Sequence, residues 1–295
     1  MFTNKTSAIY LMIVSSIAIS FGGLIMRNIT EADPWQIVFY RAIGFNFSIL
    51  ILLLIQNRKL VFKVTREIGF PGVLAGLCLA SANMLFVHAF AHTTIANALF
   101  TLSSIPFITA LIAYFFLNEK ITKLNLIIML LAFIGIFIMI KGGLNSGGVL
   151  GNILAILTAL SFSLFTIILR KFRNINMFPT LLVSGLFILS FSFLINFSFY
   201  DFVIPISDIS LSFFWGAVLS GFVNSIFIFC TRYLQASEIT FFMLLEFALG
   251  PLWVWIFLNE TITLETFLGG IIVMLCVAAY SYLETIKNRE FIIKN

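Results

Sequence analysis

Along the chain, long apolar runs alternate with short polar breaks. Each run holds about 20 residues, the number that crosses a hydrocarbon core of about 30 Å at 1.5 Å per residue. The breaks divide the sequence into ten runs, at 7–27, 34–55, 68–90, 93–117, 122–140, 148–170, 179–200, 211–234, 236–258 and 263–284. Within a run the apolar character is continuous and does not alternate residue by residue. That pattern predicts helices and disfavours the strands of a membrane barrel. The predicted fold class is an all-α integral membrane protein of ten transmembrane helices.

Composition sharpens this picture. The chain is 61% apolar and 10% charged, whereas about a quarter of the residues of soluble domains are charged. Little sequence is left over for a separate soluble domain. The first run lacks a small-residue cleavage site and is followed by further spans, so it reads as a retained helix. Cys78, Cys230 and Cys276 sit singly within apolar runs and predict packing, with no disulfide framework, metal site or cofactor attachment.

The charges orient the spans, because loops kept in the cytoplasm carry an excess of Lys and Arg. Fourteen of the 17 Lys and Arg residues fall on the side of the N-terminus, from Lys5 through Arg170 and Lys171 to Lys294. Arg27 and Lys141 fall on the opposite side, and Arg41 lies inside a span. Both termini are therefore expected in the cytoplasm, with Asp33, Asp201, Asp208 and Glu265 on the outer face. The net charge of +5 reads as a topology signal and not as a nucleic-acid-binding surface.

A shift of 141 residues lays the first five spans over the last five. Phe116-Leu117-Asn118-Glu119-Lys120-Ile121-Thr122 falls on Phe257-Leu258-Asn259-Glu260-Thr261-Ile262-Thr263, and Asn83 falls on Asn224. A shift of 143 places Arg27 on Arg170. Five is odd, so the second copy enters the membrane from the opposite side. The expectation is two inverted five-helix repeats, residues 1–145 and 146–295, a plan that secondary transporters use to build a substrate site near the midplane.

Ten helices in two halves, the segment Asp33-Pro34-Trp35-Gln36-Ile37-Val38-Phe39-Tyr40-Arg41 entering the second helix, and a fourth and a ninth helix each ending in Phe-Leu-Asn-Glu resemble the EamA-type branch of the drug/metabolite transporter superfamily. The resemblance covers essentially the whole chain. It implies a carrier in the cytoplasmic membrane that moves a small organic solute by alternating access, often an amino acid or related metabolite outward, though relatives import vitamins or nucleoside-type compounds.

A charge deep in the bilayer costs at least about 2.5–3.5 kcal/mol, so it faces the bundle interior and marks a pathway. Glu246 lies at the middle of the ninth span. It reads as a carboxylate that binds a cation or carries a coupling proton, or as a structural carboxyl bonded to neighbouring helices. Arg41 lies roughly 10 Å into the second span; it either clamps a carboxylate or phosphate or snorkels outward beside Trp35 and Tyr40. Asn83 and Asn224, in the third and eighth spans, bond either substrate or neighbouring helices.

Pro106 and Pro251 interrupt the fourth and ninth spans and free the carbonyls of Leu102 and Phe247, with Ser103 and Ser104 offering hydroxyls nearby. Trp253 and Trp255, Asn97 and Tyr114 are weaker candidates. His88 and His92 are four apart, a metal-ligand spacing, but lack a third ligand and read as packing or interfacial residues. The Asn-Glu pairs end their helices at the membrane edge, where Thr122 and Thr263 are placed to cap the next helix. Enzyme signatures, an ATP-binding motif and a channel filter are all missing from the sequence. The expected partners are a small-molecule substrate, protons and the lipid bilayer. The sequence sets no oligomeric state.

Overall fold

The computed structural model describes residues 5–57, 61–93, 95–140, 148–258 and 264–294. It contains ten spans: α1 (Lys5–Asn28), α2 (Pro34–Asn57), α3 (Gly69–His92), α4 (Ile95–Leu102 and Ile105–Leu117), α5 (Lys123–Ile140), α6 (Val149–Lys171), α7 (Thr180–Phe199), α8 (Ile206–Cys230), α9 (Ala236–Phe242 and Leu244–Leu258) and α10 (Leu264–Lys294). Among the described residues, nine helices are long and apolar enough to cross a membrane, and α5 is shorter. Large side chains such as Phe115, Phe116, Phe197 and Phe199 are exposed on the outside, as lipid-facing positions of a multi-pass membrane protein are.

The eighth span begins earlier than the hydropathy pattern predicts. Asp208, expected in a loop, lies in the first turn of α8 and is 1% exposed. Its Oδ2 accepts the backbone N–H groups of Glu31 and Ala32 at 3.0 and 3.1 Å. Those bonds let an acid enter the helix.

Helix packing follows a two-fold pattern. α3 packs on α6 as α8 packs on α1, α4 on α6 as α9 on α1, and α3 on α7 as α8 on α2. α2 meets α7, α4 meets α9 and α5 meets α10. Exchanging the first five helices with the last five maps this set onto itself, the signature of two equivalent halves arranged about one axis.

Both interrupted helices break at nearly the same register. α4 stops at Leu102 and resumes at Ile105; α9 stops at Phe242 and resumes at Leu244. A shift of 141 places Leu102 on Met243, the residue at the second break. Pro106 occupies the first turn of the resumed α4, where its missing N–H costs nothing. Pro251, in contrast, lies well inside the resumed α9, so the interruption of that helix is at Met243 and not at its proline.

The first Phe-Leu-Asn-Glu copy is a helix terminus. Asn118 adopts the left-handed region at φ 54° and donates its N–H to Ala113 O, a conformation that Asn tolerates better than other side chains. The turn swings Glu119 inward: Oε1 accepts from Arg170 Nε at 2.7 Å and Oε2 from the Ala236 N–H at 2.9 Å. Thr122 Oγ1 then caps the next helix by accepting the Asn125 N–H at 3.2 Å. Asn259, Glu260 and Thr263 of the second copy lie outside the described residues.

Candidate functional site

The two breaks border a central cavity of about 100 Å³, lined by α1, α2, α3, α4, α6, α8 and α9. Most of the wall is apolar, with Met12, Phe86, Phe162 and Phe227 among its members. A small polar set converges on it: Ser15, Ser16, Arg41, Asn83, Thr158, Ser220, Asn224 and Glu246. An apolar wall with a few placed polar groups is the usual form of a small-molecule site.

Arg41 reaches the cavity because α2 and α8 approach closely. A Cβ on Gly216 would overlap the Arg41 carbonyl, and one on Gly44 would overlap that of Phe213. The α8 segment Trp215–Ser220 is a π-helical turn, a widened geometry that recurs at functional sites. It delivers two partners to one guanidinium. The Trp215 ring centroid lies 4.3 Å from Arg41 Cζ, a cation–π contact. Ser220 Oγ accepts from Nη2 and Nε at 3.0 and 3.3 Å, and Asn83 Oδ1 of α3 accepts from Nη2 at 3.1 Å. Nη1 makes no hydrogen bond to any described residue, so the fork keeps a free donor edge suited to an oxyanion.

The two asparagines are equivalent in detail. Asn83 Nδ2 donates to Leu79 O and Asn224 Nδ2 to Ser220 O, each 2.9 Å away and four residues back in its own helix. Each side chain is thereby fixed with its carbonyl oxygen outward. Arg41 takes the oxygen of Asn83, while that of Asn224 has no hydrogen-bond partner among the described residues.

Glu246 stands in the first turn of the resumed α9, its N–H donating to Met243 O at 3.0 Å. There the partial positive charge of a helix start favours a carboxylate. The carboxylate lines the cavity and makes no hydrogen bond or ion pair with a described side chain. It interacts with Arg41 electrostatically across the cavity.

The remaining predicted residues lie off the cavity lining. Ser103 and Ser104 donate to Phe100 O at 2.6 Å and Thr101 O at 2.5 Å, bonding the last turn before the break instead of the freed Leu102 carbonyl. Pro106 is buried beside them; the side chains of Pro251 and Asn97 lie outside the described residues. Trp253 stacks on Phe21 at 4.4 Å and donates from Nε1 to Ser20 Oγ at 2.7 Å, tying α9 to a bend in α1. His88 packs on Trp35 at 4.3 Å, and no group of three metal-ligating side chains occurs among the described residues. Trp215, Ser220 and the α1 serines join the site without a sequence signal of their own.

Comparison with known proteins adds three findings. Residues 6–141 match the EamA-like transporter family. S-adenosylmethionine uptake transporters of Rickettsia prowazekii (strain Madrid E) and Rickettsia bellii (strain RML369-C) are 30% and 28% identical over 146 and 145 residues, 48% of this chain in each case. The matched part spans about half the length of these relatives, 47% and 48%. A solved crystal structure superposes with a TM-score of 0.77 over 98% of this chain and 99% of that one; at 15% identity this likeness shows the fold alone. Over residues 6–141 the chain is thus similar to the EamA-like transporter family.

Proposed function

We propose that the chain is a secondary transporter that carries a small metabolite bearing both a negative and a positive group, such as an amino acid or a related compound, by alternating access. One observation carries this reading: a single cavity, walled by both halves, holds a guanidinium with a free donor edge and a carboxylate without a bonded partner. A carboxylate on the solute would take the Arg41 edge, the Asn224 oxygen would accept a solute N–H or O–H, and an ammonium would sit against Glu246. Emptied of substrate, Glu246 is free to take a proton, which makes it the coupling residue. The positive-inside distribution supports a cytoplasmic-membrane location with both termini in the cytoplasm, and net export is the direction this reading adopts.

A second reading is uptake, favoured by the names of the Rickettsia relatives. S-adenosylmethionine carries a carboxylate, an ammonium and a sulfonium, a charge pattern that fits the same two arms. Flux into liposomes separates the readings, with labelled amino acids and labelled S-adenosylmethionine supplied on either face under a pH gradient. Glu246→Gln is expected to abolish the response to the gradient while leaving the chain folded. If it leaves transport and its pH dependence unchanged for every solute carried, the assignment of Glu246 fails.

A further inference from the structure

A second charged cluster lies away from the cavity, at the end of the bundle where the chain begins. The Lys5 ammonium of α1 donates to Glu238 Oε1 of α9 and to Glu284 Oε2 of α10, both at 2.7 Å. The Gln235 N–H donates to Glu238 Oε2 at 2.7 Å, and Asn125 Nδ2 of α5 to Glu284 Oε1 at 3.3 Å. Every oxygen of both carboxylates therefore accepts a hydrogen bond. The Tyr280 hydroxyl of α10 accepts from the same Asn125 Nδ2 at 3.2 Å. Glu238 and Glu284 are 4% and 5% exposed and the Lys5 side chain 26%, so both negative charges are held nearly out of water and the positive charge is partly solvated.

The location decides what such a cluster does. It grips the start of the half-helix Ala236–Phe242, which ends at the Met243 break next to Glu246. Along α1 and α9, fully buried Ile9, Phe241 and Phe242 separate it from the cavity. Lys5 is seven residues, roughly 10 Å, ahead of the cavity residue Met12. Glu119 and Arg170 hold the same turn from the other side through the Ala236 N–H.

We propose that Lys5, Glu238 and Glu284 form an ion-pair latch that closes the cavity toward the N-terminal face and opens when the pairs part. The proposal rests on the alternating-access reading above. Removing the charge of either acid removes half of the negative charge that holds Lys5. The charged and titratable groups around it are Lys5 from α1, Glu238 from α9, Tyr280 and Glu284 from α10, and Glu119 and Arg170 across the turn; Asn125 of α5 is neutral.

The test uses the full chain with Cys78, Cys230 and Cys276 replaced by serine and a reporter thiol, Ser16→Cys, in the cavity wall. A membrane-impermeant maleimide is supplied from the N-terminal face, and correct folding is checked by monodisperse elution. Labelling of the parent is expected to be slow. Glu284→Gln keeps the side-chain shape but not its charge and labels about tenfold faster, the factor for about 1.4 kcal/mol of coupling; Lys5→Arg keeps the charge and labels as slowly as the parent. Lys5→Met leaves two buried carboxylates uncompensated and also labels fast. Should Lys5→Met fail to fold, Glu284→Gln decides alone: labelling no faster than its parent overturns the latch. No substrate is involved, so this outcome is independent of the flux assays.

Discussion

Arg41 is held by three partners of different kinds, and each sets its own requirement. Ser220 and Asn83 fix the plane of the guanidinium, and Trp215 supports its face. Lysine reproduces the charge but not the fork. Arg41→Lys should therefore lose an interaction of about 1.5–3 kcal/mol, raising the KM for an anionic solute roughly 10–100-fold in a flux assay. Trp215→Leu removes a contact of about 0.5–2 kcal/mol and should raise KM by a smaller factor, with Trp215→Phe retaining part of it. The double variant should show less than the sum, because both changes act on one group. A KM unchanged in both single variants would remove Arg41 from substrate binding. Sequence alone marked Arg41 and Glu246 through the cost of burying charge. It could not mark Trp215 or Ser220, whose roles depend on how closely two helices approach, a distance set by Gly44 and Gly216.

At the scale of the element, the doubled Phe-Leu-Asn-Glu acquires a physical reason. Asn118 supplies the left-handed residue that ends α4, and the resulting turn points Glu119 at Arg170 and at the first N–H of α9. Asn118→Ala should cost about 1–2 kcal/mol for the left-handed backbone, whereas Asn118→Gly should not. Thermal unfolding in detergent checks this; equal loss in both variants would mean that the Asn side chain, and not its conformation, matters. The capping of the next helix by Thr122 was legible from residue type and position. The α9 break was not, because no proline marks Met243, and the visible Pro251 pointed one helical stretch too far along. Register with Leu102 was the available signal. Likewise Gln235 and Glu238 form a capping box, readable locally, but their link to Lys5 spans 233 residues.

In the whole molecule the helix contacts pair the two halves as an inverted repeat expects, and the charge distribution gives the expected orientation. Lys5 entered that distribution as a cytoplasmic charge, yet it is committed to two carboxylates; the remaining Lys and Arg still favour the same face. The exchange symmetry of the helix contacts requires equivalent halves, and five helices per half require that equivalent positions face opposite sides. Lys120 is exposed in the loop after α4, and Thr261 is its equivalent at a shift of 141. Lys120→Cys should therefore react with an impermeant maleimide from the cytoplasmic face, and Thr261→Cys from the opposite face. Reaction of both from one face would require an even number of crossings between them. The cavity would then no longer lie on an axis relating the halves, and the argument that matched breaks in α4 and α9 frame a single alternating site would lose its geometric basis.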